Sequence, residues 1–283
     1  MATDNGFGDR LAAALVSRAP LCVGVDPSAQ LLARWGLPDD AAGLRAFGSA
    51  VLDAVEGIVA VVKPQSAFFE RRGSAGIAAL EELCADAHRR GLLVLLDAKR
   101  GDVGSTSDAY AEAYLQADSP LQIDAMTASP YLGVASLNPL FDAAQASGRG
   151  VFVVARSSNP EGEQVQSARP SSARDVVAHV LDEVGKVNAK RPGEQLGSIG
   201  VVFGATCETR DYDLRAFGGP ILAPGLGAQG ATVDDISKRF AGYADRVLPT
   251  ASRSVLGAGP DVAAMRTAAS ELATACRRAL GND

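Results

Sequence analysis

Two carboxylates and a lysine follow directly on an apolar run in the first half of the chain. Residues 92–96 are all apolar, which is typical of a strand buried on both faces in a parallel sheet. Asp97, Lys99 and Asp102 come next. Because side chains alternate along a strand, we expect Asp97 and Lys99 to point to the same side, and Asp102 to lie where a helix begins. Buried charges are costly unless they pair, so this spacing predicts a functional charge cluster rather than a solvated salt bridge.

The rest of the chain alternates between strand-like and helix-like segments. Apolar runs indicate eight strands, at residues 21–25, 58–62, 92–96, 123–127, 151–155, 199–203, 220–223 and 246–251. Helical periodicity marks segments that include residues 76–90, 107–116, 171–189 and 261–280. This alternation predicts an α/β fold, a (β/α)8 TIM barrel, in which residues 1–283 form a single domain.

A doubly wound open sheet is the second choice of fold. That fold is expected to have a glycine-rich nucleotide-binding fingerprint directly after the first strand. Residues 24–27 read Gly-Val-Asp-Pro and do not match it. The pattern therefore favours the barrel.

Charged side chains follow three neighbouring strands of the predicted barrel. Asp26 ends the first strand, Lys63 ends the second, and Asp97, Lys99 and Asp102 end the third. In a barrel of this kind the carboxyl ends of the strands form the catalytic rim. Adjacent carboxylates favour the charged form of Lys99, which argues against a Schiff-base nucleophile, since that role needs a neutral lysine. The rim is predicted to present an ammonium group that stabilises negative charge and donates a proton.

A second candidate site follows the last two strands. Residues 224–230 read Pro-Gly-Leu-Gly-Ala-Gln-Gly after the seventh strand, and Arg253 follows the eighth. Glycines let backbone N–H groups approach an anion, and an arginine matches phosphate in a bidentate fork. The loops after strands seven and eight are also the usual phosphate site of this fold. We therefore expect a phosphate group here.

Two longer segments are predicted as loops on the same face, at residues 27–43 and 157–170. The second begins with Ser-Ser-Asn, which suits hydrogen bonding to a heterocycle, and its length suits a lid that excludes water. A plain polar loop remains an alternative. His88 and His179 lie in helical segments and are assigned no chemistry, and Trp35 is expected to be a packing residue of the first loop.

Composition excludes several classes of protein. The chain has 283 residues, 47% of them apolar and 21% charged, with a net charge of −6 that gives no reason to expect nucleic acid as a partner. Its four cysteines are scattered without metal-ligand spacing, so buried reduced thiols are expected. The sequence shows no signal peptide and no apolar run near 18 residues, which predicts a cytoplasmic protein with no membrane partner.

Residues 97–106, Asp-Ala-Lys-Arg-Gly-Asp-Val-Gly-Ser-Thr, resemble the D-x-K-x-x-D signature of the orotidine 5′-phosphate decarboxylase family. The resemblance extends along almost the whole chain and is close to the longer bacterial subgroup. It implies a carboxy-lyase of de novo pyrimidine biosynthesis that converts orotidine 5′-monophosphate (OMP) to uridine 5′-monophosphate (UMP) and carbon dioxide. It implies neither a cofactor nor a metal.

The resemblance also implies roles for the charged residues of the rim. Lys63, Asp97, Lys99 and Asp102 correspond to the family's Lys-Asp-Lys-Asp catalytic network, with Lys99 as the proton donor to the pyrimidine. In the family the last aspartate and the threonine after it reach into the neighbouring subunit's site. Asp102 and Thr106 therefore imply a homodimer with shared active sites.

Four further positions match the family's substrate-binding residues. Asp26 corresponds to the aspartate that contacts the ribose, and Ser158 to the serine that reads the pyrimidine, although Ser157 is an alternative for that role. Gln229 and Arg253 correspond to the glutamine and arginine that bind the phosphate. The eighth strand departs from the pattern, since it carries a proline and has a serine where a glycine is frequent before the arginine.

Three alternatives stay open at this point. Mg²⁺-dependent sugar-phosphate lyases of the same barrel superfamily share the third-strand motif, but they place a glutamate near the end of the second strand, where Lys63 stands here. A Schiff-base aldolase is disfavoured by the charged lysine. A barrel that binds a nucleotide without catalysis would be expected to have lost at least one of the four charged residues, and none is missing.

Overall fold

Eight parallel strands close into a barrel, in the order in which they occur along the chain, with the eighth beside the first. The structure is a computed structural model that describes residues 6–169, 174–190, 195–209, 211–227 and 230–281. The strands are β1 (Ala19–Val25), β2 (Val59–Pro64), β3 (Leu93–Arg100), β4 (Ala125–Ala128), β5 (Gly150–Arg156), β6 (Ile199–Phe203), β7 (Ile221–Pro224) and β8 (Val247–Ala251). The predicted (β/α)8 TIM barrel is thereby confirmed.

Helices surround the barrel and connect its strands. They are α1 (Phe7–Ser17), α2 (Ala29–Arg34), α3 (Ala41–Val55), α4 (Ser66–Glu70), α5 (Gly73–Arg89), α6 (Gly104–Leu115), α7 (Asn138–Ser147), α8 (Glu163–Gln166), α9 (Val176–Asn188), α10 (Val233–Arg239), α11 (Arg253–Leu256) and α12 (Val262–Leu280). In the part of the chain that is described, no helix is long and apolar enough to cross a membrane.

The amino-terminal helix α1 closes the end of the barrel at which the strands begin. Phe7, Leu11 and Leu15 recur every four residues and therefore share one helix face. That face packs in a common cluster with strand residues such as Phe152, whose ring meets Phe7 edge-on at 5.9 Å. Beside this contact, Gly150 has no room for a side chain, since a Cβ there would lie 2.3 Å from the Phe7 ring. With one end closed in this way, the opposite end is left for ligands.

Some sequence-based boundaries were wrong in ways that matter at the site. Strand β3 runs through Arg100, four residues beyond the predicted end, so Asp97 and Lys99 are part of the strand. Helix α6 begins at Gly104 with Val103 as its N-cap, not at Asp102. The side chain of Asp102 instead accepts a hydrogen bond from the Val103 N–H at 2.8 Å.

The two segments predicted as long loops contain short helices. Residues 27–43 include α2 and the start of α3, and residues 157–170 include a 3₁₀ turn at Pro160–Gly162 followed by α8. Helices of four to six residues have almost no stability of their own, so their sequences carry little signal. Trp35 lies at the end of α2, buried and stacked on Phe47 with ring centroids 4.2 Å apart, as expected of a packing residue.

Candidate active site

A cavity of about 360 Å³ opens at the carboxyl ends of the strands. Most of the predicted site residues line it, and they come from widely separated parts of the chain. These are Asp26, Lys63, Asp97, Lys99, Ser158 and Arg253. Parallel strands bring these positions together because all their carboxyl ends meet at one face of the barrel.

Asp97 lies between two lysines at the floor of this cavity. Its Oδ2 is 2.9 Å from Nζ of Lys63, and its Oδ1 is 2.5 Å from Nζ of Lys99. The side chains of Lys63 and Asp97 are buried, whereas that of Lys99 is 51% exposed. The ammonium group of Lys99 lies at the open side, where a ligand can contact it. Such a site favours a ligand that carries or develops negative charge.

Two residues that sequence reasoning missed complete the surroundings of Asp97. Gln65 donates from Nε2 to Oδ2 of Asp97 at 3.0 Å, and Thr127 donates from Oγ1 to Oδ1 at 2.9 Å. Asp97 therefore accepts four hydrogen bonds, which is the full capacity of a carboxylate. The signal for both was present, since each is a polar residue at or just after the end of an apolar strand.

Burial and neighbouring charges shift the pKa values of Asp97 and Lys63 in opposite directions. Burial alone would raise the pKa of Asp97, but the positive charges of Lys63 and Lys99 outweigh it and hold that pKa well below its usual range. Burial alone would lower the pKa of Lys63, but the carboxylates of Asp97 and Asp26 raise it above its ordinary value. The nearby Cys22 thiol is fully buried, which raises its pKa to about 12. Asp97 and Lys63 therefore stay ionised near neutral pH, and Cys22 stays uncharged.

The backbone of Lys99 has an unusual conformation. Its φ is +46°, in the left-handed region that residues with a side chain rarely adopt. The side chains of Lys99 and Asp97 are in contact, as the spacing predicts. The cause differs from the prediction, because the backbone at Lys99 does not follow the regular alternation of a strand. The pairing of β3 with β4 shifts here, since Leu96 pairs with Met126 and Arg100 with Ala128.

The side of the cavity that the sequence predicts to bind phosphate is formed by the ends of β7 and β8. Gly225 and Leu226 line it directly after β7, and Arg253 lines it as the first residue of α11. Gly225 has a φ of +122°, so glycine is needed for this turn. Ser252, where the family frequently has glycine, packs against β1, because a Cβ at Gly24 would lie 2.0 Å from its hydroxyl.

The segment after β5 brings Ser157, Ser158 and Asn159 to the cavity. The hydroxyl of Ser157 donates to Oδ1 of Asn159 at 2.6 Å and accepts from Nε2 of Gln166 at 2.7 Å. Gln166 also accepts from the Ser157 N–H at 3.0 Å, which ties the segment to α8. The hydroxyl of Ser157 is thus engaged within its own loop.

Comparison with known proteins identifies the family. The model of the orotidine 5′-phosphate decarboxylase / HUMPS family matches residues 19–268. The chain belongs to this family. The resemblance noted from the third-strand motif is therefore confirmed.

Relatives of this chain extend over nearly its full length. It is 55% identical to the orotidine 5′-phosphate decarboxylase of Salinispora arenicola, over 98% of this chain and 99% of that protein. It is 52% identical to that of Streptomyces coelicolor, over 97% and 98%. A crystal structure of a putative orotidine 5′-phosphate decarboxylase from Streptomyces avermitilis superimposes with a TM-score of 0.93 at 52% identity, covering 98% of this chain and 96% of that one. The expected enzyme class, a carboxy-lyase, is confirmed.

Two of the residues matched to the family are not among the cavity-lining residues that the structure describes, and a third lies outside the described part of the chain. Asp102 and Thr106 lie beyond the end of β3, and neither lines the cavity in the described part of the chain. Thr106 is exposed in the first turn of α6. Gln229 lies outside the described residues.

Asp26 is part of the cavity, whereas neither His88 nor His179 lines it. The Oδ1 atom of Asp26 is buried without a hydrogen-bond partner among the described residues. His88 lies at the other end of the barrel, where its Nε2 is 2.7 Å from Oδ2 of Asp124. His179 is exposed on α9. Among the described residues, no group of three or more His, Cys, Asp or Glu side chains is arranged to hold a metal ion.

Proposed function

We propose that this chain decarboxylates orotidine 5′-monophosphate to uridine 5′-monophosphate in pyrimidine biosynthesis, with Lys99 as the proton donor. The observation that carries the proposal is the position of Asp97 between Lys63 and Lys99 at the floor of one cavity. Loss of the carboxyl group at C6 leaves a carbanion-like centre on the pyrimidine. The ammonium group of Lys99, whose side chain is half exposed, would stabilise that charge and protonate C6.

Asp97 would have two functions in this reaction. Its low pKa keeps it negatively charged, so it would oppose the substrate carboxylate in the ground state but not the neutral carbon dioxide that leaves. It also holds Lys99 at 2.5 Å, which fixes the direction of the donated proton. Lys63 would keep Asp97 ionised and is itself too buried to reach far into the cavity.

The remainder of the substrate would be bound by the other cavity residues. Arg253 and the turn at Gly225, together with Gln229, would bind the phosphate, and Asp26 would accept hydrogen bonds from the ribose. Ser158 would contact the pyrimidine, with Ser157 as the alternative, since both line the cavity. Binding energy at the phosphate would then help to close the loops around the reacting carbon.

We further propose that the active enzyme is a homodimer, in which Asp102 and Thr106 complete the site of the partner subunit. Their location outside their own chain's cavity is compatible with this arrangement. Residues 1–283 are proposed to form one domain, in keeping with the single closed barrel. The cytoplasmic location and the absence of nucleic-acid or membrane partners remain predictions from the sequence.

The test is the loss of OMP absorbance after addition of purified, EDTA-treated protein. Turnover without added metal is expected, and Lys99→Ala should abolish it while largely sparing the binding of UMP. Near-normal turnover by Lys99→Ala would overturn the role of Lys99. Activity that appears only on a sugar phosphate and only with Mg²⁺ would instead assign the chain to the metal-dependent branch of its family.

A further inference from the structure

Thr127 occupies a position between the two residues that the proposed reaction uses most. It is the third residue of β4 and is 1% exposed. Its hydroxyl contacts the adjacent strand β3. Oγ1 accepts a hydrogen bond from the backbone N–H of Lys99 at 2.9 Å and donates to Oδ1 of Asp97 at 2.9 Å. One hydroxyl therefore links the main chain of the proton donor to the side chain of its carboxylate partner.

The contact takes the place of missing strand pairing. Between the pairs Leu96–Met126 and Arg100–Ala128, β3 advances by four residues while β4 advances by two. In this interval the regular ladder of backbone hydrogen bonds is interrupted, so the N–H of Lys99 has no partner of the usual kind. The Thr127 side chain supplies one. The hydroxyl thereby satisfies a backbone donor that would otherwise lack a protein partner.

The left-handed backbone of Lys99 makes this bond more important. A residue with a side chain at a φ of +46° is strained by about 1–3 kcal/mol and persists only where its surroundings hold it in place. Thr127 is itself fixed from the other side, since β4 pairs with β5 without irregularity from Ala125 to Ala128. A rigid strand thus holds the strained residue through a single side chain.

We propose that Thr127 is a positioning residue, which sets the backbone of Lys99 and the carboxylate of Asp97 in the geometry needed for proton donation. This inference rests on the proposed function. The single proton of the hydroxyl is donated to Asp97, and one of its two lone pairs accepts from Lys99. Since Thr127 is also only 1% exposed, we assign its role to these two contacts and not to substrate binding, although it lines the cavity.

Two comparisons separate the effect of the Thr127 hydroxyl from that of the rest of the side chain. Thr127→Val keeps the shape of the wild-type side chain and removes the hydroxyl, and Thr127→Ala differs from Thr127→Ser by the hydroxyl alone. We expect kcat for OMP to fall by roughly 10- to 100-fold in the Val and Ala variants, because a small displacement of a reacting group has effects of that size. The Ser variant should keep kcat within about threefold of wild type. The Kd of UMP should change by about twofold or less in all three.

Thr209→Val is the matched control for the removal of a buried threonine hydroxyl elsewhere. Thr209 is buried outside the cavity and donates to the backbone carbonyl of Arg239 at 2.6 Å. This variant is expected to have a lower melting temperature and an unchanged kcat. Melting temperatures of all variants are measured alongside kcat, KM and the Kd of UMP.

Several results would overturn the inference. One is a kcat of Thr127→Val and Thr127→Ala within twofold of their hydroxyl-bearing counterparts. Another is an equal loss of kcat in Thr127→Ser and Thr127→Ala, which would assign the effect to the methyl group. A weaker Kd for UMP in step with kcat would make Thr127 a binding residue, and failure of both hydroxyl-free variants to fold would make its role structural. If the wild type does not turn over OMP, both the proposed function and this inference are wrong. If the wild type turns over OMP and the Thr127 variants do so equally well, only this inference is wrong.

Discussion

Lys63 and Asp97 form a buried ion pair that spans neighbouring strands of the barrel, with Nζ of the lysine 2.9 Å from Oδ2 of the aspartate. Each partner makes the charged form of the other favourable in spite of burial. Such a pair is weak evidence for stability, since desolvation offsets much of the attraction. Its value lies in holding a negative charge at a fixed place beside the half-exposed Lys99.

Removing one partner of this pair is expected to destabilise the fold. Lys63→Met fills a similar volume but leaves the buried Asp97 with only one cationic neighbour. We expect the free energy of unfolding to fall by about 3 kcal/mol. This is the lower limit of the usual cost of breaking a buried ion pair, because Lys99 still neutralises part of the charge of Asp97. Urea denaturation monitored by circular dichroism measures the change. An equal or higher stability would mean that the desolvation of the pair outweighs its attraction.

Lys186→Met is the matched control for this variant. Lys186 pairs with Glu183 at 2.6 Å on the exposed face of α9, and its side chain is 69% exposed. Exposed pairs contribute little, so the expected change is about 0.5 kcal/mol or less. Only the buried lysine should therefore show a large effect.

Asp124 should make the stability of the protein depend on acid pH. Its carboxylate contacts Arg10 at 2.5 Å, His88 at 2.7 Å and the N–H of Val94 at 2.8 Å, at the end of the barrel that α1 closes. Burial alone would raise the pKa of Asp124, but the hydrogen bond from His88 and the charge of Arg10 lower it below 3.8, its ordinary value. Since the pKa is lower in the folded state, the contribution to stability is complete above about pH 4 and is lost as the pH falls further.

The corresponding experiment compares Asp124→Asn with wild type in urea at pH 7, 5 and 3.5. We expect the variant to be less stable by about 2 kcal/mol at pH 7 and pH 5, with a smaller difference at pH 3.5. Asp118→Asn, at an exposed position in the same connection, should change stability by about 0.5 kcal/mol or less. A difference for Asp124→Asn that stays constant down to pH 3.5 would contradict the assigned direction of the pKa shift.

Arg253→Ala is expected to weaken binding of the phosphate specifically. A charge-assisted hydrogen bond contributes about 1.5–3 kcal/mol, which corresponds to a loss of roughly 10- to 150-fold in the affinity for UMP. Inhibition by uridine, which has no phosphate, should be unchanged. Calorimetry with UMP and inhibition assays with uridine make the comparison. Equal losses for both ligands would mean that Arg253 supports the cavity as a whole.

Mixing two inactive variants tests the proposed shared site. Lys99→Ala and Asp102→Asn should each be inactive alone. In a mixed dimer one of the two sites would receive both wild-type residues, so an equilibrated equal mixture should recover about a quarter of wild-type activity. Activity is measured after mixing, mild dissociation and reassociation. No recovery in a mixture that demonstrably contains mixed dimers would show that Asp102 does not complete the partner's site.

Much of the architecture could be predicted from residue patterns. The eight apolar runs correspond to the eight strands, because strands buried on both faces must be apolar along their length. The polar residues that interrupt those runs at their carboxyl ends identified Asp26, Lys63, Asp97 and Lys99, which the barrel brings to one cavity. Short helices such as α2 and α8 were missed, since tertiary contacts and not local sequence stabilise helices of that length.

The sequence by itself determined the barrel, its catalytic rim and the charged residues there, because each follows from periodicity within a strand and from the rule that parallel strands end together. Only the tertiary structure decided how Asp97 is held and why Lys99 has a left-handed backbone. Gln65 and Thr127 reach Asp97 across neighbouring strands, from positions 32 and 30 residues away in the chain. Such contacts depend on the register between neighbouring strands. The residue pattern of one strand does not show which side chain of the next strand will bond to a backbone N–H that lacks a strand partner.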